Sequence, residues 1–351
     1  RPCARGGGPA APVEDPAMPA QPEALPAQKE GDGHEKPLSV ALVPHALEHR
    51  RFLSAVHRSP LALYTRSPDL AGAIEVYRTA FLPLLAGWTA RAPPPAPPLE
   101  VAWVWHVHKL DPKGYETDCI KAFGRVVGVR PGQSPFAFAE NEEAAPALVD
   151  QGAPVVLSTD IATSAQRQAV FLWQVRGVEY NQEEFLGEAE ERYRMMLNLK
   201  GEKPGAMIVP TYDIDLIWHT HMAFPEEYRR DAVRFAGRVV GHDDSFIDRT
   251  EGSKLSKGAE ETQDAWEDLY GRNGGDHYGK TDSWEKEGGM WRGDPPGWYF
   301  QNRELGADLS GTEPEEAHGA GGCAACLENY TEPQRAYGGF ARRSNLTAKR
   351  S

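Results

Sequence analysis

Cysteine is scarce in this sequence. The four cysteines (Cys3, Cys119, Cys323 and Cys326) are spread over 351 residues, which is too few for a disulfide framework. A reducing compartment is therefore expected, and we predict an intracellular, cytoplasmic protein. Because the chain begins with Arg1 rather than Met, a removed targeting segment remains compatible with this prediction.

Positive charge and long apolar runs are also in short supply. The 38 Lys and Arg residues face 51 Asp and Glu residues, for a net charge of −13, which argues against direct nucleic-acid binding by the acidic domain. Only residues 335–351 reverse this balance, with five basic and no acidic residues. No stretch approaches the roughly 20 apolar residues of a membrane span.

Familiar catalytic patterns are missing as well. The sequence has no Ser, His and Asp order typical of hydrolases, no Gly-rich phosphate loop and no dinucleotide fingerprint. We therefore assign no catalytic residue and no site for an organic cofactor.

Apolar residues concentrate in the middle of the chain. Residues 1–36 are rich in Ala, Pro, Gly and Glu and predict a disordered leader. Helical spacing of apolar residues predicts a mainly α domain over residues 37–250. Residues 251–300 read as an extension with little regular structure, and residues 301–351 as a Gly-rich, basic tail.

The most informative pattern is written twice, at a constant offset of 113 residues. Eleven of 24 aligned positions are identical without a gap. The shared positions are Trp105, His106, His108, Pro112, Tyr115, Asp118 and Gly124–Gly128, and Trp218, His219, His221, Pro225, Tyr228, Asp231 and Gly237–Gly241. Each copy predicts a helix, a turn at the Pro, and a second helix that ends at the Gly. We predict a duplicated helical unit packed as one domain, with repeat one at about 38–130 and repeat two at about 158–247.

Potential metal ligands gather in the second copy. Asp215 and His219 are spaced i and i+4 on one helical face, and His242 follows the second helix. Two imidazoles and one carboxylate suit Zn or Fe and leave positions open for a substrate. Asp213, Asp243 and Asp244 are further candidates, and His221, His106 and His108 complete the set of candidate ligands.

A structural role explains the same histidines without a metal. Residues two apart on a helix point to opposite sides, so His219 and His221 cannot both ligate one ion in a regular helix. A buried imidazole often bonds a carboxylate or a carbonyl, and Asp215 could serve His219 in this way. Both interpretations stay open.

The sequence resembles the glycine-rich domain-containing protein family. The resemblance covers about residues 38–294 and rests on Trp103–His108, on Pro210–His221, and on the matches His242-Asp243-Asp244, Asp248-Arg249-Thr250, Trp266-Glu267 and Met290–Gly293. It implies a plant, algal or fungal type of protein with a soluble intracellular domain and no established reaction. The family's Gly- and Cys-rich tail looks reduced here to residues 319–326.

Three hypotheses about function follow. The first is an interaction or scaffolding module with protein partners, in which the His, Asp and Trp clusters hold the two halves together. The second is a metal-dependent enzyme with Fe or Zn at His219, Asp215 and His242. The third and weakest is an RNA-associated regulatory protein acting through its basic tail.

Overall fold

The computed structural model describes residues 37–139, 148–150, 152–246, 248 and 250–271. The helices within these ranges are α1 (Leu42–Arg58), α2 (Pro68–Val76), α3 (Leu82–Gly87), α4 (Leu99–Lys109), α5 (Pro112–Phe123), α6 (Ile161–Gln174), α7 (Glu183–Glu202), α8 (Tyr212–Met222), α9 (Pro225–Ala236) and α10 (Lys254–Tyr270). A π-helical turn, Tyr77–Phe81, joins α2 to α3, and a 3₁₀ turn, Val178–Asn181, precedes α7. Because the described part of the chain contains helices and no strand, the mainly α prediction is confirmed. The predicted leader, and the tail from residue 301, lie outside the described residues.

Helix ends follow from local sequence. Asp111 caps α5 by accepting a hydrogen bond from the Gly114 backbone, and Asp160 caps α6 in the same way. Both α5 and α9 begin with Pro and end at Gly124 and Gly237, whose φ angles of 72° and 70° are left-handed. Such angles favour Gly because it carries no Cβ.

The region after residue 250 departs from the sequence-based expectation. Residues 251–300 were expected to hold little regular structure, yet Lys254–Tyr270 forms the 17-residue helix α10. Ser253 caps it, and Trp266 is fully buried against the core. The expectation was wrong for this part because apolar residues are sparse in α10, and a single large indole anchors the helix. Residues 272–300 lie outside the described part of the chain.

The first helix of each half of the domain packs against the other half. The first half is repeat one, which begins with α1, and the second half is repeat two, which begins with α6. Helix α1 packs against α8 of the second half, and α6 packs against α4 of the first. Just before α1, the Ser39 backbone donates to Asp231 at 2.6 Å. Just before α6, the Ser158 backbone donates to Asp118, also at 2.6 Å. Each half therefore holds the start of the other.

The two copies of the 24-residue pattern face each other across a small cleft of about 10 Å³. The cleft is lined by the same five positions of each copy: Lys109 and Met222, Pro112 and Pro225, Tyr115 and Tyr228, Glu116 and Arg229, and Val126 and Val239. Within this set, Arg229 Nε donates to Glu116 Oε1 at 2.9 Å. The cleft holds at most about one water, so the halves meet in direct contact.

None of the described helices is long and apolar enough to cross a membrane.

Candidate functional site

The second histidine of copy one, His108, is part of a buried hydrogen-bond chain. The Tyr77 hydroxyl donates to His108 Nδ1 at 2.9 Å, and His108 Nε2 donates to Asp118 Oδ2 at 3.2 Å. Asp118 also accepts from the Ser158 backbone. Burial raises the pKa of Asp118, but the bonds from His108 and Ser158 outweigh it and lower that pKa overall. Both ring nitrogens of His108 are thus engaged, and its role is structural.

The second histidine of copy two, His221, has the same surroundings. Tyr193 lies 2.9 Å from His221 Nδ1, and His221 Nε2 lies 3.4 Å from Asp231 Oδ2. Asp231 accepts from Ser39 in turn. Although both histidines were candidate metal ligands, the structure places each between a tyrosine and an aspartate.

The first histidines of the copies have different surroundings. His106 is buried among rings, with Trp103, Phe52 and His49 at centroid distances of 5.7, 5.5 and 4.7 Å. Burial lowers its pKa well below the usual value, and the charges of His49 and Lys109 add to this effect. The copy-one positions that correspond to Asp215 and His242 are Ala102 and Val129. Of the three candidate ligand positions, copy one therefore has only the histidine.

His219 has two potential co-ligands. His219 Nε2 lies 3.0 Å from His242 Nε2 and 3.4 Å from Asp215 Oδ1, while His242 Nε2 lies 3.7 Å from the same Asp215 oxygen. In the described part of the chain, these three residues are the group of His, Cys, Asp or Glu whose ligand atoms lie close enough to hold a metal. The side chain of Asp215 is 16% exposed, whereas His219 is almost completely buried.

Two elements bring these atoms together. Helix α8 carries Asp215 and His219 at i and i+4, which share a face. The segment after α9 turns at Gly237 and returns His242 to that face. The rings of Trp218 and His242 are perpendicular, with their centroids 5.0 Å apart. The His242 ring donates a hydrogen bond to the backbone carbonyl of Leu110 in copy one.

The pKa values of the two histidines shift in opposite directions. Burial lowers the pKa of His219 to about 3, although Asp215 opposes this shift, so the His219 ring is neutral at physiological pH. Burial also acts to lower the pKa of His242, but its hydrogen bond and charge interaction with Asp215 raise that pKa overall. For Asp215, burial acts to raise the pKa, and the two histidines outweigh it. The site therefore holds an ionised carboxylate, Asp215, beside a neutral imidazole, His219.

Aromatic and basic groups surround this cluster. The ring of Phe171 on α6 lies 4.3 Å from His219. Lys200 donates to the backbone of Ile208, and its charge favours the ionised form of Asp215. Burial lowers the pKa of Lys200 to about 8, with help from the charge of Arg238.

The remaining carboxylates lie outside the cluster. Asp213 pairs with Arg192, Asp243 accepts from Ser245, and Asp244 pairs with Arg167. Since each has its own partner, the structure does not bring them into the cluster as ligands.

Sequence reasoning overlooked the groups around the cluster. His49 on α1 and Phe171 on α6 lie in helices that showed only ordinary amphipathic spacing. Leu110 contributes a backbone carbonyl, which no side-chain pattern reveals. The one signal in the sequence was the apolar stripe of the helix that carries Phe171, which indicates that this ring is buried.

The fold and this cluster define a class: helical proteins with a duplicated Trp-His-x-His unit and a His/His/Asp group in the second copy. A sequence profile described as glycine-rich domain-containing protein-like matches residues 132–231. The chain belongs to the glycine-rich domain-containing protein family. The resemblance seen in the sequence is thereby confirmed.

Two relatives from Arabidopsis thaliana are similar to this chain. Glycine-rich domain-containing protein 2 is 35% identical over an alignment of 292 residues, and the match covers 74% of this chain and 35% of the relative. Glycine-rich domain-containing protein 1 is 32% identical over an alignment of 279 residues, and the match covers 70% of this chain and 34% of the relative. The chain thus spans about a third of the length of these relatives. No solved structure matches it.

Proposed function

We propose that Asp215, His219 and His242 bind one divalent transition metal, Zn²⁺ or Fe²⁺, and that this centre is the functional site of the protein. The observation that carries the proposal is the triangle of 3.0, 3.4 and 3.7 Å between the three ligand atoms. Ligands about 2.1 Å from a metal lie about 3.0 Å apart in an octahedron and about 3.4 Å apart in a tetrahedron. The observed distances thus need only small changes for the three atoms to bind one ion.

The ligand set supports an open site rather than a closed structural one. Structural zinc sites use four protein ligands, whereas catalytic sites use three and keep a position for water or substrate. Two histidines and one carboxylate are also the ligands of many non-haem Fe(II) centres. The function that this geometry supports best is therefore a metal-dependent enzyme, with the partly exposed Asp215 marking the side that is open to substrate.

Elemental analysis of the purified full chain tests this proposal. After reconstitution with Zn²⁺ or Fe²⁺ we expect about one ion per chain, lost in His219→Ala, His242→Ala and Asp215→Asn. Two matched substitutions should retain it, namely Asp243→Asn beside His242 and His45→Gln on α1. Circular dichroism must show that all variants are folded. A folded wild-type protein that retains neither metal would exclude the site.

The second candidate function is an interaction or scaffolding module with a protein partner. The observation that favours it is an exposed apolar pair at equivalent positions, Ile120 on α5 and Val233 on α9, 47% and 43% exposed. Each lies one helical turn beyond a member of the Glu116–Arg229 ion pair, so both share the face of that pair. A surface that repeats about an axis can meet its own copy, and a second copy of this chain is the partner we propose.

Sedimentation velocity over a wide concentration range tests this second candidate. We expect a reversible dimer that is weakened in the Ile120→Glu and Val233→Glu variants. A wild-type protein that stays monomeric throughout would exclude self-association through this face. We also propose a cytoplasmic location. Cys119 is a free, buried thiol, and thiols stay reduced in the cytosol.

A further inference from the structure

Three buried histidines meet where the two halves exchange helices. They are His49 on α1, His106 on α4 and His219 on α8. The rings of His49 and His106 lie 4.7 Å apart, and His49 Nδ1 lies 3.0 Å from the hydroxyl of Thr220, the residue that follows His219 on α8. Among charged groups, His219 also has the largest effect on the pKa of His49. The three imidazoles therefore lie on the three helices that meet where α1 packs against α4 and α8.

Several ring nitrogens of this group have no protein partner. Among the residues that the structure describes, these are His49 Nε2, both nitrogens of His106, and His219 Nδ1. Buried polar atoms are nearly always hydrogen-bonded, by protein or by an ordered water. We infer that these four atoms share a hydrogen-bond partner that is not a protein group.

The Thr220 hydroxyl determines the tautomer of His49. This hydroxyl donates to the backbone carbonyl of Leu216 at 2.7 Å, so it can only accept from His49 Nδ1, which lies 3.0 Å away. His49 Nδ1 therefore carries the proton. His49 Nε2 is left as a buried acceptor.

His219 presents the complementary group. When Nε2 of a neutral imidazole binds a metal, its proton sits on Nδ1. His219 Nδ1 is then a buried donor in need of an acceptor, on the helix that His49 contacts through Thr220. Metal-bound imidazoles almost always donate this second proton to a carboxylate, a carbonyl or a water.

We propose that His49 is a positioning residue of the metal centre, accepting the Nδ1 proton of His219 through a buried water shared with His106. This inference rests on the proposed function. A buried water needs two to four polar partners, and the three imidazoles supply them. This contact fixes the tautomer and the orientation of the His219 ring. His49 belongs to the first half, so the first half contributes to a site in the second.

Two substitutions at one position separate positioning from packing. In His49→Asn, the amide can keep the donor to Thr220 but loses the acceptor at the Nε2 position. In His49→Gln, the longer side chain places an oxygen acceptor near that position and loses the donor to Thr220. If His49 matters only for its bond to Thr220, then Asn is the milder change. If it positions His219, Gln is the milder change.

Zinc affinity of the full chain, measured by competition with a chelator, gives the readout. We expect His49→Asn to weaken zinc binding by about 10- to 100-fold, the range for loss of such a supporting hydrogen bond, and His49→Gln to recover most of this loss. His45→Gln, one turn earlier on α1, is the matched control and should bind zinc as the wild type does.

Imidazole ¹⁵N spectra of the metal-free wild type provide a second readout, which does not depend on zinc. We expect the proton of His49 on Nδ1, and a proton on Nε2 would overturn the proposal. Equal zinc affinity in wild type, His49→Asn and His49→Gln would also overturn it while leaving the metal centre intact. A folded wild type that binds no zinc would reject the metal centre itself, and with it the role of His49.

Discussion

Side chains at equivalent positions of the two copies have different chemistry because their neighbours differ. His106 and His219 occupy the same position of the repeated pattern, and both are buried. His219 meets Asp215 and His242, whereas His106 meets Trp103 and other rings. An imidazole in a polar cluster can ligate or exchange a proton, and an imidazole among rings stays neutral.

Buried neutral histidines make stability depend on pH. Burial lowers the folded-state pKa of His106 well below 6.5, while in the unfolded chain it is about 6.5. As pH falls below about 6.5, the unfolded state takes up a proton that the folded state does not, so stability decreases. Between pH 7.5 and 5.5 the free energy of unfolding should fall by about 1.4 kcal/mol for this residue alone.

Urea unfolding at these two pH values checks this expectation with His106→Phe. A phenyl ring suits the aromatic surroundings and removes the titration, so the variant should lose less stability than the wild type on acidification. The His45→Gln variant, with a partly exposed side chain, serves as control. A pH dependence identical in the wild type and His106→Phe would show that His106 titrates normally in the folded protein.

Asp231 should be among the most sensitive single positions for stability. It is fully buried and accepts from the backbone and the hydroxyl of Ser39, and it lies beside His221 and Arg234. Replacing it with Ala leaves buried donors unsatisfied, at a cost of about 2–3 kcal/mol. Thermal or urea unfolding of Asp231→Ala measures this. Asp243→Ala, at a more exposed carboxylate, should change stability by less than about 0.5 kcal/mol.

At the scale of elements, helix packing rather than helix propensity determines which side chains α7 can accept. This helix lies against both α8 and α9, and it contains two glycines in different surroundings. A Cβ on Gly201 would lie 2.8 Å from the Phe235 backbone oxygen, whereas a Cβ on Gly187 would meet nothing within 4 Å. The close approach of α7 to α9 therefore depends on Gly201.

Alanine at these two glycines should have opposite effects. Gly187→Ala should stabilise the protein by about 0.5–1 kcal/mol, because Ala is the better helix former. Gly201→Ala should destabilise it by about 1–3 kcal/mol, since the backbone of α9 must shift. Urea unfolding of both variants measures the difference. Equal effects at the two positions would mean that α7 and α9 are further apart than described.

On the scale of the whole molecule, the exchange of first helices makes the described part of residues 37–271 one structural unit. Ser39 binds the carboxylate of the second half, Ser158 that of the first, and α1 and α6 each cover the opposite half. Neither half buries its own motif helix alone. The proposed metal site shares this arrangement, because Leu110 of copy one holds the His242 ring.

One cooperative unfolding transition is the expected consequence. Tryptophan fluorescence and far-UV circular dichroism should give coincident curves in urea, as in two-state unfolding. Ser39→Gly should lower the midpoint without separating the curves. Two resolved transitions, one for each half, would contradict the mutual dependence of the halves.

Much of the local structure was predictable from the sequence, and the site only in part. Helix boundaries near Pro225 and Gly237, the paired motif and the i, i+4 relation of Asp215 and His219 all depend on neighbouring residues. Helix α10 was missed because large apolar residues are sparse in it, and Trp266 is its one large side chain that is fully buried. His49 was missed because nothing in the spacing of α1 connects it to a site 170 residues away.

The sequence by itself determined that the chain is mainly helical, that a Trp-His-x-His unit occurs twice, and that carboxylate and imidazole ligands concentrate in the second copy. Local backbone chemistry and helical periodicity carry this information. Only the tertiary structure decided which imidazoles meet. It seats His108 and His221 between Tyr and Asp, surrounds His106 with rings, and returns His242 to Asp215 and His219. These outcomes depend on how helices from distant parts of the chain pack, and no local spacing encodes that.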